Sequence, residues 1–373
     1  MGRTLIVGAA MLLAGLPAAA GDRAVPNVVV ILADDLGVND LGCYGRKEHH
    51  TPHLDRLATE GMRFTSAYCS QPICSPARAA LLTGMAPARL HLTTFLPGRA
   101  DAPSQKLLHP KINQQLPLAQ KTLAEYLKDA GYATACVGKW HLGGAGFSPK
   151  EQGFDFVHTG TATTQPSATE GGKGEYDLTR AAVKFLESSR DKPFFLYLAH
   201  NTPHIRLAAK PDLVEKYKDA FNPTYAAMMH TMDDCVGLVL AKLDELKLAG
   251  NTIVIFTSDN GGLHVLESPD SPATHNTPFR AGKGFVYEGG LRIPLIVRWP
   301  GVIPIGKVSD VPVIQADWVP TLLDACGVKG DGSFDGLSVL PLLKGGDLPA
   351  RTLYWHFPHY TNQGSRPAGA VRD

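Results

Sequence analysis

Four short apolar runs in this chain each end on charged or amide side chains, and that repeated join constrains the fold more than any other feature. Val28-Val29-Val30-Ile31-Leu32-Ala33 ends in Asp34-Asp35, and the run 132–137 leads into Gly138-Lys139-Trp140-His141. The run 193–199 ends in His200-Asn201-Thr202-Pro203-His204, and the run 251–258 ends in Asp259-Asn260-Gly261-Gly262. Continuous β-branched and aromatic runs without polar alternation read as strands buried on both faces, as in parallel sheets covered by helices. Helical patterns lie between them, over 51–58 with a stop at Gly61, 123–127 with a stop at Gly131, 178–187 and 225–248. This alternation predicts an α/β fold with a large mixed, mostly parallel central sheet flanked by helices. Ligands in such sheets bind beyond the carboxyl ends of the strands. The four polar ends therefore predict one shared site.

The chemistry of those ends narrows what the site holds. Two adjacent aspartates after a core strand are unfavourable unless a cation neutralises them. Either Asp34-Asp35 or Asp259-Asn260 alone also reads as a solvated turn. Taken together, Asp34, Asp35, Asp259 and Asn260 form an oxygen-donor set suited to a hard divalent cation. A set without histidine favours calcium or magnesium over zinc. With 36 Lys+Arg against 35 Asp+Glu and a net charge of +1, the chain gives no global argument for nucleic-acid or membrane binding. An acidic substrate would have to be held by local cations.

A further stretch, Cys74-Ser75-Pro76-Ala77-Arg78, precedes the Ala/Leu-rich run 79–84. Proline is tolerated in a first helical turn, so Cys74 is expected at a helix N-terminus, where negative charge is favoured. Arg78, one turn on, is placed to reach back over it. Read alone, the pentapeptide also fits an ordinary helix start with a structural cysteine. The stretch resembles the Cys-x-Pro-x-Arg signature of the formylglycine-dependent (type I) sulfatases, arylsulfatase-like members of the alkaline phosphatase superfamily. The resemblance extends over nearly the whole mature chain. Thr51-Pro52-His53-Leu54-Asp55-Arg56-Leu57-Ala58 matches a family segment, with His53 where asparagine is usual. Gly138-Lys139-Trp140-His141-Leu142-Gly143 matches a second signature. Arg280 with Lys283, and Glu288-Gly289-Gly290-Leu291-Arg292-Ile293-Pro294, match a third segment.

What the resemblance implies is specific. Cys74 would be oxidised by a formylglycine-generating enzyme, and the hydrated aldehyde would be the nucleophile and a ligand of a calcium ion, with magnesium as the alternative. Asp34, Asp35, Asp259 and Asn260 would complete the metal site. Lys139 and Lys283 would neutralise sulfate oxygens, and Arg78 would hold the hydrated aldehyde. His200 would protonate the leaving alcohol, and His141 would take the proton that expels sulfate. His91, Arg99, His204 and Arg206 are candidate contacts to a sulfated carbohydrate. The rival readings are a formylglycine-dependent phosphodiesterase or phosphonate hydrolase, and a non-catalytic protein that binds sulfated glycans.

The remaining expectations concern the chain's ends and its thiols. A basic start, an apolar run from Leu5 to Leu16 and the Ala18-Ala19-Ala20 end predict a signal peptide over 1–20, hence a periplasmic or secreted catalytic domain over 21–373. The resemblance also leads one to expect a C-terminal antiparallel subdomain that is largely missing before Asp373. The Gly- and Thr-rich stretch 160–174 is expected to be a surface loop, and Asp233-Asp234 to lie on the solvated face of the long helix. Six cysteines show neither a zinc spacing nor a dense disulfide pattern. A bridge through Cys43 or Cys69 stays open.

Overall fold

Every residue of strand β1 (Asn27–Ala33) is buried, yet successive side chains enter different cores. Val28, Val30 and Leu32 pack with Phe195, Tyr197, Ile253 and Ile255, while Val29 and Ile31 pack with Phe194, Leu196, Val254 and Phe256. The strand is covered on both faces, which is why its sequence shows no polar alternation. The computed structural model describes residues 25–160, 167 and 171–373. The expected signal peptide, 1–20, lies outside the described residues, as does most of the 160–174 stretch. Residues 171–174 are buried, not surface loop.

The other strands are β2 (Met62–Phe64), β3 (Ala67–Tyr68), β4 (Ala133–Gly138), β5 (Phe156–His158), β6 (Phe194–Ala199), β7 (Thr252–Ser258), β8 (Leu295–Arg298), β9 (Lys307–Ser309), β10 (Val313–Ile314), β11 (Leu353–Phe357) and β12 (Ala368–Arg372). Eight of them form one sheet in the order β5-β4-β6-β1-β7-β8-β2-β9. Only β8 runs against its neighbours. The helices used below are α1 (Pro52–Glu60), α2 (Cys74–Thr83), α3 (Leu123–Asp129), α4 (Glu175–Ser188), α5 (Pro211–Lys216), α6 (Pro223–Glu245), α7 (Glu288–Leu291) and α8 (Trp318–Cys326). Apolar residues of α2, α3 and α8 join one core, and those of α1, α4 and α6 join the other. The expected mixed, mostly parallel α/β sheet is the observed one. At the C-terminal end, β11 and β12 pair as a small antiparallel sheet.

The four adjacent strands β4-β6-β1-β7 all point their carboxyl ends the same way. These are the four runs that end in Lys139, His200, Asp34 and Asp259. Gly138 makes the first of those ends feasible. Its φ is +98°, and a Cβ there would lie 1.9 Å from the carbonyl oxygen of Ala199. Only glycine allows β4 to turn this closely over β6.

Two further expectations are settled by packing. All six cysteines are unbridged, with Cys43 half-buried and the others buried. Asp233 is not on a solvated face: it is 1% exposed, and its carboxylate accepts the N–H groups of His53 (3.0 Å) and Leu54 (2.8 Å). Thr51, at the head of α1, makes no side-chain cap, so Asp233 supplies one from α6. Asp234, by contrast, is half-exposed beside His230. Among the described residues no helix is long and apolar enough to cross a membrane.

Burial pushes Asp233 up to about 7 although both amides oppose this. A carboxyl whose folded value is raised loses stabilisation as pH climbs from its unfolded value toward its folded one. Asp233→Ala should therefore lower unfolding free energy by about 0.5–2 kcal/mol, as for loss of a helix cap. Against the non-ionising Asp233→Asn, wild type should lose ground between about pH 4 and 7 and hold constant above, as read by denaturant titration.

Candidate active site

Cys74 is the first residue of α2, and the whole helix is buried. Ser75 anchors its start by accepting the Leu96 N–H (3.1 Å). Burial pushes the Cys74 thiol up to about 11, with Lys139 and Lys283 opposing this. As a thiol it is thus protonated at neutral pH and a poor nucleophile.

Around it sits a lattice of buried ions. Arg78, wholly buried, donates from Nε (3.0 Å) and Nη2 (2.8 Å) to Asp259 Oδ2 and from Nη1 to the Lys139 carbonyl (3.0 Å). It also lies 3.5 Å from Asp34 Oδ1. Its guanidinium faces these groups and is not among the residues lining the Cys74 cavity, so its expected hold on the residue-74 side chain is not seen directly. Lys139 Nζ donates to Asp34 Oδ2 and Lys283 Nζ to Asp35 Oδ2, both at 2.6 Å. Asn260 Nδ2 donates to Asp35 Oδ1 (2.8 Å), and the Asp35 N–H to Asp259 Oδ1 (3.0 Å). Asp35 and His141 both hold left-handed backbones, φ 68° and 56°, a conformation that non-glycine residues adopt where surrounding structure forces it. Lys139 and His141 therefore reach the site through a sharp turn, not through the extended chain their spacing suggested.

The electrostatics follow from burial set against these pairings. Burial opposes ionisation of Asp34 and Asp35, but Lys139 chiefly for the first and Lys283 for the second outweigh it and hold both below the usual range. Burial pushes Asp259 up to about 7, Arg78 opposing this and Asp34 and Asp35 adding to it. Three carboxylates thus converge with their repulsion incompletely relieved. Asp34 Oδ1 and Asn260 Oδ1 are buried without any hydrogen-bond partner. Possible donor atoms of Asp34, Asp35, Cys74 and His204 lie within 4.8 Å of one another. Buried oxygens without a hydrogen bond, beside repelling carboxylates, fit a hard divalent cation. Asp259 stands at the edge of this group, its oxygens directed at Arg78 and the Asp35 amide.

The histidines divide differently from the sequence expectation. His200, expected to face the leaving group, is 0% exposed; its Nδ1 meets the buried Glu175 carboxylate and its Nε2 has no partner. His204, expected as a pocket contact, lines the cavity of about 240 Å³ with Cys74, Phe95, His141, Lys283 and Glu267. The reason is geometric: His200 directly follows β6 and stays inside the sheet's end, while four more residues carry His204 out over it. His204 Nδ1 meets the Ile205 carbonyl, which only an N–H satisfies, so Nε2 is left for the cavity, 3.5 Å from Asp35 Oδ2. His141 donates from Nε2 to the Leu96 carbonyl (2.9 Å), leaving Nδ1 buried and unpaired. Burial, with Lys139 repelling a second positive charge, pushes His141 down to about 4. It is a neutral acceptor at pH 7. Arg206 and His91 are exposed, and neither lines this cavity.

The sequence reading missed a supporting tier. Glu175, buried, accepts from His200 and from Thr202 Oγ1 (2.6 Å). Lys173 Nζ donates to the carbonyls of His204 (2.8 Å) and Ile205 (3.2 Å). Both residues sit at the head of α4, in a stretch whose glycine-rich composition resembled loop. Glu267 at the cavity rim, receiving Gln363 Nε2 at 2.5 Å, was also missed. Glu175→Gln keeps one acceptor oxygen but turns the other into an amide N–H that faces a donor. It should lower stability by about 1–3 kcal/mol, measured by chemical denaturation.

Comparison with known proteins agrees with this geometry. The sulfatase family model matches residues 26–328. The N-acetylgalactosamine-6-sulfatase of Canis lupus familiaris is 36% identical over 91% of this chain and 70% of its own length. The steryl-sulfatase of Mus musculus is 32% identical over 90% of this chain and 68% of its own. Among solved structures, Ps i-CgsB in complex with k-i-k-neocarrahexaose superposes with a TM-score of 0.79 at 29% identity, covering 93% of this chain and 82% of that one. With the ion lattice at the strand ends and these matches, the chain belongs to the sulfatase family and is a sulfatase of the alkaline phosphatase-like fold.

Proposed function

We propose that this sulfatase removes sulfate from a sugar ester, with residue 74, matured to formylglycine, as the nucleophile. The observation that carries this reading is the meeting of Cys74, Lys139, Lys283, His141 and His204 above three carboxylates and Asn260. The buried, proton-retaining thiol supports maturation, because an unmodified cysteine there has little nucleophilic power. Formylglycine supplies a hydrated aldehyde with two hydroxyls on one carbon, one to attack sulfur and one whose deprotonation lets sulfate leave. Asp34, Asp35, Asp259, Asn260 and residue 74 would hold a calcium ion, which supplies Lewis-acid polarisation and lowers the pKa of a bound hydroxyl.

The chain's own side chains divide the remaining work. Lys139 and Lys283 place ammonium groups beside residue 74, where they can neutralise sulfate oxygens as charge develops. His141, neutral and with Nδ1 free, is the proton acceptor. His204, whose Nε2 faces the cavity, is the general acid for the leaving oxygen. Burial and Lys283 push it down to about 4, and a sulfate anion placed between the two would offset the lysine's repulsion. His200 orients the segment that carries His204 and does not touch substrate. Sugar esters are the favoured class, because the Ps i-CgsB neighbour was solved with an oligosaccharide and the most similar relatives include a sulfatase named for an amino sugar. We also propose export to the periplasm or exterior, which the basic, apolar and Ala-rich start supports.

The test is sulfate release, by ion chromatography, from protein co-produced with a formylglycine-generating enzyme and supplied with calcium. Release should depend on Cys74 and vanish in Cys74→Ala. Aryl phosphate diesters turning over faster than aryl sulfates would instead favour a phosphodiesterase. His204→Ala should lower kcat by about 10²–10⁴-fold on alkyl sulfates, the usual worth of a general acid, and far less on nitrophenyl sulfate, whose leaving group needs no proton. His200→Asn should affect both substrates equally. The reverse pattern would return the acid role to His200.

A further inference from the structure

Two stretches of chain that wall the Cys74 cavity also wall a second one. Phe95, Asn362 and Gln363 line the first. Thr94, Pro97, Gly98, Arg99, His359 and Tyr360 line the second, a cavity of about 340 Å³ that also includes His109 and Lys111. The junction is tight. The Leu96 carbonyl accepts from His141, Phe357 packs on Ile73 and Cys74, and the rings of Phe357 and His359 lie 5.7 Å apart. The cavities are therefore neighbours, and a chain-like ligand with one unit over residue 74 can lay the next unit in the second cavity.

The second cavity has its own chemistry. No acidic residue lines it. Arg99 donates from Nη1 to the Thr361 carbonyl (2.9 Å), which orients its guanidinium. Among the described residues neither Arg99 nor Lys111 makes an ion pair, whereas Lys139 and Lys283 both do. Asp101 accepts the backbone N–H of His109 (2.8 Å) but is not among the lining residues. The rings of His109 and His359 stack 5.5 Å apart at 20°, and Tyr360 meets His109 edge-on at 5.9 Å. Two uncompensated cations beside aromatic faces suit a ring that carries an anionic substituent.

We infer that this cavity is a second subsite, taking the sugar next to the one being desulfated and binding its anionic group, sulfate or carboxylate, through Arg99 and Lys111. The enzyme would then prefer oligosaccharides bearing more than one charge. The inference rests on residue 74 as the centre of sulfate hydrolysis.

Calorimetric titration of Cys74→Ala protein tests it without turnover. The probes are a carrageenan tetrasaccharide (neighbouring sulfate), a chondroitin sulfate tetrasaccharide (neighbouring carboxylate) and a sulfated monosaccharide. At least one tetrasaccharide should bind tenfold or more tighter than the monosaccharide, and which one does names the anionic group. Adding Arg99→Gln and Lys111→Gln, both exposed and so tolerable to the fold, should collapse that ratio toward one. A ratio near one before the substitutions, or a ratio that survives them, would overturn the inference. Absence of sulfate release from an aryl sulfate by matured, unsubstituted protein would instead count against hydrolysis at residue 74, whatever the titrations show.

Discussion

Three ion pairs, Arg78 with Asp259 and Lys283 with Asp35 buried and Lys139 with Asp34 largely so, hold this site together. None could stand alone in so apolar a place, because burying an unpaired charge is prohibitive. Each also joins parts of the chain that are far apart in sequence: α2 to the end of β7, β4 to β1, and the stretch before α7 to β1. Removing one partner leaves a buried charge and disorders two elements at once. The lattice still leaves carboxylate repulsion and two buried oxygens without a hydrogen bond, which is where the proposed calcium ion would sit. The same pairs fix both lysine ammonium groups in place, as the proposed neutralisation of sulfate oxygens requires.

The supporting tier explains why the site is as rigid as it is. His204 is fixed from behind by Lys173 on its carbonyl, and the segment leading to it is tied through His200 and Thr202 to Glu175. The Thr202 carbonyl in turn accepts the Asp34 N–H (2.9 Å). One buried network therefore links the head of α4, the histidine segment after β6 and the first metal-type aspartate. Hydrogen-bonded second tiers of this kind hold reacting groups in register.

Much of this was legible in the sequence, for a reason of scale. Strands buried on both faces announce themselves as unbroken apolar runs, so β1, β4, β6 and β7 and their polar ends could be read directly. Asp34, Asp35, Lys139, Asp259 and Asn260 meet as those ends implied, whereas Cys74 and Lys283, which share a cavity with His141, were reached through motif resemblance and not from the strand ends. What failed was resolution within a segment. Four positions separate the fully buried His200 from the cavity-lining His204, and a pattern match could not tell which of the two cleared the sheet's edge. Asp233 looked solvated because its partners, the first amides of α1, lie 180 residues away. Lys173 and Glu175 escaped notice because their surroundings are glycine-rich, and their importance comes only from what folds against them.

If the carboxylate cluster is built around one divalent cation, as proposed, folded protein should hold that ion. The direct measurement is metal content by inductively coupled plasma mass spectrometry after equilibrium dialysis of folded protein against calcium, compared with Asn260→Ala. Close to one calcium per chain is expected, with the affinity weakened in the variant. Folded wild-type protein that retains no divalent cation at millimolar calcium would contradict it, and the aspartates would then serve only to counter the lysines and Arg78.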